Sequence, residues 1–199
     1  MKQSGNTITV LMMGNPNVGK SVLFNQLTGA SAVVSNYPGT TVDYMAGTLI
    51  EAHQTFEIID VPGTYSLEPH DDAERVAVRM LDEHAGATVL IVLDATRLER
   101  GLYLALEVME RGFPCIIAVN MMDAAHDREI SIDAAELQRL LGVPVIPTTA
   151  ISGEGVRQLA DMIRTAQVGD VGSIRRRLYD ESPEDTGGCT GCSGCGGCR

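Results

Sequence analysis

Lysine and long apolar runs are scarce in this sequence. Lys2 and Lys20 are the only lysines among 199 residues, and 26 acidic against 15 basic side chains give a formal net charge of −11. This charge disfavours nucleic acid or an anionic membrane surface as the main partner, because both are polyanions. No apolar run approaches the ~20 residues of a membrane-spanning helix, and the N-terminus lacks the basic and apolar regions of a signal peptide. The sequence therefore predicts a cytoplasmic protein that binds no nucleic acid.

Strand and helix patterns alternate along most of the chain. Strand patterns occupy residues 8–13, 45–52, 55–60, 88–93, 115–119 and 143–146, and helical patterns occupy 21–27, 73–84, 101–111, 133–141 and 156–166. Such alternation predicts an α/β fold with a mostly parallel six-stranded sheet, one antiparallel edge strand, and helices on both faces. We expect residues 1–167 to form this domain, 168–188 to form a short extension and linker, and 189–199 to form a Cys/Gly-rich tail.

The first strand leads into a motif of the form G-x-x-x-x-G-K-[ST], the loop that wraps nucleoside triphosphates. Backbone N–H groups in such a loop, together with the next helix N-terminus, cradle phosphate oxygens. Lys20 is expected to reach the β- and γ-phosphates, and the Ser21 hydroxyl to ligate Mg²⁺. The expected phosphate-binding residues are Gly14, Asn15, Pro16, Asn17, Val18, Gly19, Lys20, Ser21 and Val22.

A second motif, Asp-x-x-Gly, closes the strand pattern that ends at Asp60. Alone it indicates only a turn, but an aspartate beside the phosphate loop can hold Mg²⁺ through water. Gly63 would let the backbone approach the γ-phosphate where a side chain would block it. The sequence thus predicts that Asp60 and Gly63 complete the phosphate and metal end of the site.

Two further loops are predicted to bind the base: one follows the strand pattern 115–119, and the other follows the strand pattern 143–146. Asp123 presents two acceptor oxygens, which match the two N–H donors on one edge of guanine; adenine offers no such pair. Asn120 would tie neighbouring loops together, and backbone N–H groups after strand 143–146 would reach the guanine oxygen. The expected base-site residues are Asn120, Met121, Asp123, Thr149, Ala150 and Ile151. GTP, or GDP, is therefore the expected ligand.

Four segments, 14–20, 25–29, 36–42 and 60–67, resemble the G domain of the ferrous-iron transport protein B family over about residues 7–166. The resemblance implies a Ras-like GTPase fold of the translation-factor class, GTP hydrolysis, and an association with ferrous iron transport. It implies that Thr41, in the first switch segment, completes Mg²⁺ coordination with Ser21 and Asp60. Residues 30–44 and 61–72 are the expected switch segments, and Asn17, Lys20, Thr41 and Gly63 the expected catalytic set.

Two positions modify the expected chemistry. Thr64 follows Gly63 where many GTPases carry a glutamine that orients the attacking water, and a threonine is too short for that role. Slow intrinsic hydrolysis is therefore expected. Asn17 could help hold K⁺ against the phosphates, as in similar GTPases, so we expect potassium stimulation. The acidic cluster 70–74 is interpreted as complementing the dipole of the next helix rather than as chemistry.

Four of the five cysteines end the chain with C-x-x-C-x-x-C-x-x-C spacing: Cys189, Cys192, Cys195 and Cys198. They are candidates for a Zn²⁺ or iron–sulfur site, and a flexible tail with free thiols is the alternative. In the family the G domain leads into a helical domain and a membrane channel. Here the sequence ends soon after Tyr179, so it is either a stand-alone variant, which the tail favours, or part of a longer protein.

Three functions stay open on the sequence. A GTP-hydrolysing switch associated with ferrous iron transport fits the motifs best and requires a separate membrane transporter as partner, at the inner face of the membrane. An iron-sensing or iron–sulfur module with a regulatory nucleotide site is the alternative. A ribosome-associated GTPase is disfavoured by the acidic charge. The sequence does not distinguish a monomer from a homo-oligomer.

Overall fold

One mixed β-sheet organises the residues that the computed structural model describes, 7–29 and 32–180. Its eight strands are β1 (Ile8–Gly14), β2 (Val33–Asn36), β3 (Asp43–Glu51), β4 (Gln54–Asp60), β5 (Thr88–Asp94), β6 (Pro114–Asn120), β7 (Val145–Pro147) and β8 (Gln167–Val168). The α-helices of the described residues are α1 (Lys20–Thr28), α2 (Asp72–Glu83), α3 (Leu98–Glu110), α4 (Met122–Asp127), α5 (Ala134–Leu141), α6 (Val156–Met162) and α7 (Val171–Asp180). The predicted α/β class is confirmed.

The strands lie in the order β2-β3-β4-β1-β5-β6-β7, and β8 pairs with β6. Strands β4, β1, β5, β6 and β7 run parallel to one another, whereas β3 runs antiparallel to β4 as a hairpin. Consecutive β1 residues face opposite cores: Leu11 packs into one buried cluster and Met12 into the other. Burial on both faces explains why the central strands are continuously apolar.

The prediction of six strands with one antiparallel edge was wrong in number. Strand β2 pairs antiparallel with β3, and β8 pairs antiparallel with β6, so the sheet has eight strands in the described residues. Val33 and Val34 of β2 are both exposed, which removes the alternation of buried and exposed positions that marks a strand in a sequence. Strand β8 has two residues, too few to form any pattern.

Two helices of the structure were not predicted from the sequence. Helix α4 spans only six residues, less than two turns. Helix α7 lies beyond residue 166, where the pattern ends; it buries Ile174, and the Arg177 guanidinium donates to the carbonyls of Arg139 and Leu140, both at 2.8 Å. Among residues 171–177 only Ile174 is buried, and three consecutive arginines follow it, which explains why no apolar stripe is visible.

Because the parallel strands end at the same edge of the sheet, this topology gathers the loops after β1, β4, β6 and β7. Those loops carry the phosphate, Asp-x-x-Gly and base motifs of the sequence. None of the helices described is both long enough and apolar enough to span a bilayer.

Candidate nucleotide site

The phosphate loop connects β1 to α1 through two residues with left-handed backbone conformation. Asn17 has φ of 65° and Gly19 has φ of 79°. A Cβ at Gly19 would overlap the side-chain amide of Asn120, so glycine is needed for both its conformation and the close approach. Alternation of left- and right-handed residues is the geometry in which successive N–H groups form an anion cradle.

Lys20, Ser21 and Asp60 meet at the start of α1. The Lys20 ammonium contacts one Asp60 carboxylate oxygen and donates to the Val61 carbonyl. Ser21 Oγ donates to the other Asp60 oxygen, Oδ2, at 2.9 Å. The Lys20 and Asp60 side chains are 11% and 6% exposed, so the pair is well shielded from water. The carboxylate that closes β4 is thereby held against the first turn of α1.

The same group borders a cavity of about 390 Å³, together with Asp43 and Gly63. Hydroxyl and carboxylate oxygens are the ligands that Mg²⁺ prefers, and it commonly keeps several waters. The Ser21 and Asp60 oxygens therefore fit a magnesium site. Thr41 is exposed and does not border this cavity. The structure thus brings together two of the three expected metal ligands and leaves the third outside.

Gly63 and Thr64 pack the Asp-x-x-Gly loop onto the phosphate loop. A Cβ at Gly63 would lie 3.1 Å from Pro16 Cα, and Thr64 N donates to the Gly14 carbonyl at 3.2 Å. The Thr64 side chain is fully buried, and its hydroxyl donates to the Ser66 carbonyl at 2.6 Å. That hydroxyl is therefore committed to its own loop.

Asn120 joins three loops from the end of β6. Its Nδ2 donates to the Val18 carbonyl at 2.9 Å, and its Oδ1 accepts from Ala150 N at 2.9 Å and from Thr148 Oγ1 at 3.3 Å. Asn120 is 2% exposed. These contacts carry the loop-tying role expected from the sequence, and they set the base-site loop after β7 against the phosphate loop.

Asp123 is exposed in the first turn of α4 and borders a cavity of about 680 Å³ that Thr149 also lines. Met121, with φ of 64°, turns the chain between β6 and this helix. Ala150 is buried, whereas Ile151 is 81% exposed. An unobstructed carboxylate beside a cavity of this size can accept two hydrogen bonds from a planar ligand edge.

Sequence reasoning missed the contacts that hold the switch segments. Tyr37 is 7% exposed, and its hydroxyl donates to the Glu83 carboxylate, at the end of α2, at 2.6 Å. This bond, with burial, raises the pKa of Tyr37. No local pattern could reveal it, because the residues are 46 positions apart.

The acidic cluster 70–74 does more than complement a helix dipole. Asp71 caps α2 by accepting from Glu74 N at 2.8 Å. The buried Glu74 carboxylate accepts from His70 N at 2.8 Å and from Tyr65 N at 3.4 Å, and Glu107 accepts from Leu67 N at 2.8 Å. The D-x-x-E spacing of a capping box at residues 71–74 was the available signal.

The tail cysteines, Cys189, Cys192, Cys195 and Cys198, lie outside the described residues. Within the residues described, no group of three or more His, Cys, Asp or Glu side chains could hold a metal ion. Cys115 is fully buried on β6, and burial raises the pKa of its thiol to about 12. Cys115 therefore belongs to the core.

Residues 8–163 match the family model described as ferrous iron transport protein B. The chain belongs to that family. It is 40% identical over 164 residues to the Fe(2+) transport protein A/Fe(2+) transporter FeoB fusion protein of Porphyromonas gingivalis, covering 82% of this chain and 19% of that protein. The chain spans about one fifth of the length of the curated FeoB relatives it matches.

Solved FeoB structures share the fold. The G domain of the T. maritima FeoB iron transporter is 38% identical with a TM-score of 0.74, covering 80% of this chain and 98% of that one. The cytosolic domain of the same transporter has been solved in a GDP form (38% identical, TM-score 0.76, covering 80% and 63%) and in a GMPPNP form (39%, 0.75, covering 79% and 63%). The described domain is a FeoB G domain, and the predicted enzyme class, a GTPase, is confirmed.

Proposed function

We propose that this FeoB G domain is a GTP-operated switch whose nucleotide site is formed by the phosphate loop, Asp60 and the Asn120–Asp123 segment. The convergence of Lys20, Ser21 and Asp60 at the head of α1 carries the proposal. The GDP and GMPPNP forms of the T. maritima relative support guanine nucleotides as the ligands. Asp123 would select guanine by accepting from both donors on one edge of the base.

Nucleotide binding would rearrange the contacts of Lys20. Its ammonium would leave Asp60 for the β- and γ-phosphates, while Ser21 and Asp60 would turn their oxygens to the metal. When bound, Mg²⁺ supplies positive charge that stabilises the transferred phosphoryl group. Thr41 would have to move inward from its exposed position to join this shell. Its movement would be the ordering of the first switch segment, and release after hydrolysis would reverse it.

GTP hydrolysis at this site would be slow without a bound cation. The buried Thr64 hydroxyl donates to Ser66 O and has no reach toward an attacking water. Asn17 is exposed with left-handed backbone conformation on the phosphate loop, so its amide oxygen can hold K⁺ beside the phosphates. A fixed cation there would offset charge developing in the transition state, as an arginine finger does.

GTP turnover by wild type and Asn17→Ala, each in K⁺ and in Na⁺ at equal ionic strength, tests this mechanism. We expect faster turnover in K⁺ for the wild type alone. Equal rates in all four reactions would refute the potassium role, while GDP affinity measured in the same samples checks the nucleotide site separately.

The family membership supports a role in ferrous iron transport. In that role the switch would act on a membrane transporter at the cytoplasmic face. The likeness to a cytosolic FeoB domain supports that location. Iron uptake by cells carrying the wild type or Lys20→Ala tests this role. Equal uptake in both would show that nucleotide binding by this domain is not needed for iron transport.

A further inference from the structure

A third cavity borders the phosphate loop on the side of α3 and α4. It measures about 280 Å³ and is bordered by the loop residues 15–18, by Tyr65 of the second switch segment, by the N-terminal end of α3, and by both ends of the short helix α4. Three arginines line it: Arg97, Arg100 and Arg128. None of the functions described above uses them.

All three arginines are exposed, and none makes an ion pair with any residue described in the structure. In a chain with a net charge of −11, three unpaired cations around one small cavity are a local reversal of charge. The one acidic residue of the lining, Asp94, already accepts from Thr96 N at 2.7 Å and Thr96 Oγ1 at 2.8 Å. The guanidinium groups are therefore left to an external anion.

Two of the arginines lie at the start of α3, where Glu99 is the one acidic residue of the first turn. Arg97 is the N-cap of the 13-residue helix α3 and makes no side-chain capping bond, and Arg100 lies in the first turn. Cations at a helix N-terminus oppose the helix dipole, whereas an anion there is stabilised by it. A bound carboxylate would relieve this arrangement by pairing with both arginines in the fork geometry that guanidinium offers.

A second, independent observation at this cavity is the unpaired side-chain amide oxygen of Asn15. Asn15 borders the cavity and is 5% exposed, and its Oδ1 has no hydrogen-bond partner among the described residues. Buried polar atoms are normally paired. The Oδ1 atom itself is shielded; if the Asn15 side chain turned toward the cavity, a polypeptide could pair its N–H groups with the amide oxygen and its carboxylates with the arginines, which an inorganic anion does not.

We propose that this cavity is a docking site for a carboxylate-rich segment of a partner protein. The segment would lie against Asn15–Val18 and Tyr65, the outer side of the loop whose inner side holds phosphate. Its occupant would therefore touch both the phosphate loop and the second switch segment. The site goes beyond nucleotide binding, and it shares with the proposed hydrolysis mechanism only Asn17, which borders the cavity.

The test uses the full chain saturated with Mg²⁺ and GDP, so that the phosphate loop cannot take the probe. The probe is a fluorescently labelled, end-capped hexaglutamate peptide, followed by anisotropy at low and at physiological salt, with hexaglutamine as the neutral control. The cavity variant carries Arg97→Gln, Arg100→Gln and Arg128→Gln. The matched control carries Arg157→Gln, Arg164→Gln and Arg175→Gln, three exposed arginines that do not line the cavity.

We expect saturable binding of hexaglutamate to wild type and to the control variant, and affinity about tenfold or more lower for the cavity variant. GDP affinity and circular dichroism should be the same in all three proteins. Absence of saturable binding to wild type, or equal loss in both variants, would overturn the site. Displacement of the peptide by citrate at equal carboxylate concentration would also overturn it, since the cavity would then bind small anions rather than a protein segment.

Discussion

Replacing Tyr37 by Phe removes one oxygen atom and, with it, the bond between the first switch segment and α2. The Tyr37 hydroxyl lies 2.6 Å from the Glu83 carboxylate, and the ring is buried against the core. A phenylalanine ring keeps that packing. The substitution therefore isolates the hydrogen bond, which holds residues 37–42 in the turn closed by Tyr37 N to Val42 O at 2.9 Å.

The size of the effect follows from the two partners. A hydrogen bond to a charged group contributes about 1.5–3 kcal/mol, but Glu83 is exposed, and exposed charges are screened by water. We therefore expect Tyr37→Phe to lower the free energy of unfolding by about 1–2 kcal/mol. Urea unfolding of the nucleotide-free protein measures this directly.

The same bond should bias the nucleotide preference. Thr41 is four residues beyond Tyr37 and lies outside the metal cavity in this conformation. If Thr41 moves inward with a triphosphate, the Tyr37–Glu83 bond stabilises only the open arrangement. Its loss should raise the affinity for GMPPNP relative to GDP by a factor of about 5–30, the equivalent of 1–2 kcal/mol.

Fluorescent GDP and GMPPNP derivatives, titrated in excess Mg²⁺, give the affinity ratio. Tyr103→Phe is the matched control, since Tyr103 is exposed on α3 with Glu107 as its carboxylate neighbour, and it should leave the ratio unchanged. Equal changes in both affinities for Tyr37→Phe would refute the reasoning, because the bond would then persist in both states.

Alkaline pH provides a second check with a defined sign. The bond to Glu83 and burial raise the pKa of Tyr37 in the folded state above its ordinary value of about 10. A raised pKa means that the stabilisation is complete below that ordinary value and is lost as pH rises through the folded-state pKa. The difference in stability between wild type and Tyr37→Phe should therefore shrink in alkaline solution.

Four further predictions concern other parts of the chain. Asp123→Asn should weaken GTP binding by about 100-fold and improve binding of xanthosine triphosphate, because an amide offers one acceptor and one donor; competition titrations measure both, and an unchanged GTP preference would exclude Asp123 from base recognition. Asn120→Ala should lower the free energy of unfolding by about 2–4 kcal/mol, since it leaves a buried carbonyl and N–H unpaired, and urea unfolding checks it. Alkylation of Cys115, followed by peptide mass spectrometry at pH 8, should require unfolding because its thiol pKa is about 12. Iron or zinc bound to anaerobically purified protein should vanish when the chain is cut after Gly188, and equal metal content in both forms would leave the tail as a flexible segment.

The parts of the site that the sequence predicted are those encoded in consecutive residues. The phosphate loop is one such stretch, because its conformation depends on glycines at fixed spacing and on the apolar strand that precedes it. The fold class followed from the alternation of patterns, since strands buried on both faces must be apolar along their length. Base selection by Asp123 follows the same logic and stays a prediction.

The features that the sequence could not predict depend on contacts between residues that are far apart in the chain. Strand β2 is held by β3 rather than by burial, so its exposed valines give no signal. The 46-residue separation of Tyr37 and Glu83, and the 102-residue separation of Asn120 and Val18, belong to the same class. Such contacts are properties of the assembled sheet and require its topology before they can be inferred.

The arrangement of these long-range contacts bears on how a switch of this kind can work. Asn120 ties the base loop to the phosphate loop through buried bonds, so that region is rigid, whereas Tyr37 is tied to α2 through one bond to an exposed carboxylate. A rigid base site retains nucleotide of either kind, and a weakly held switch segment can respond to one phosphate group. Because a ligand shifts an equilibrium only by its difference in affinity for the two states, we expect the switch segments to contribute to discrimination between GTP and GDP, and Tyr37→Phe measures that contribution.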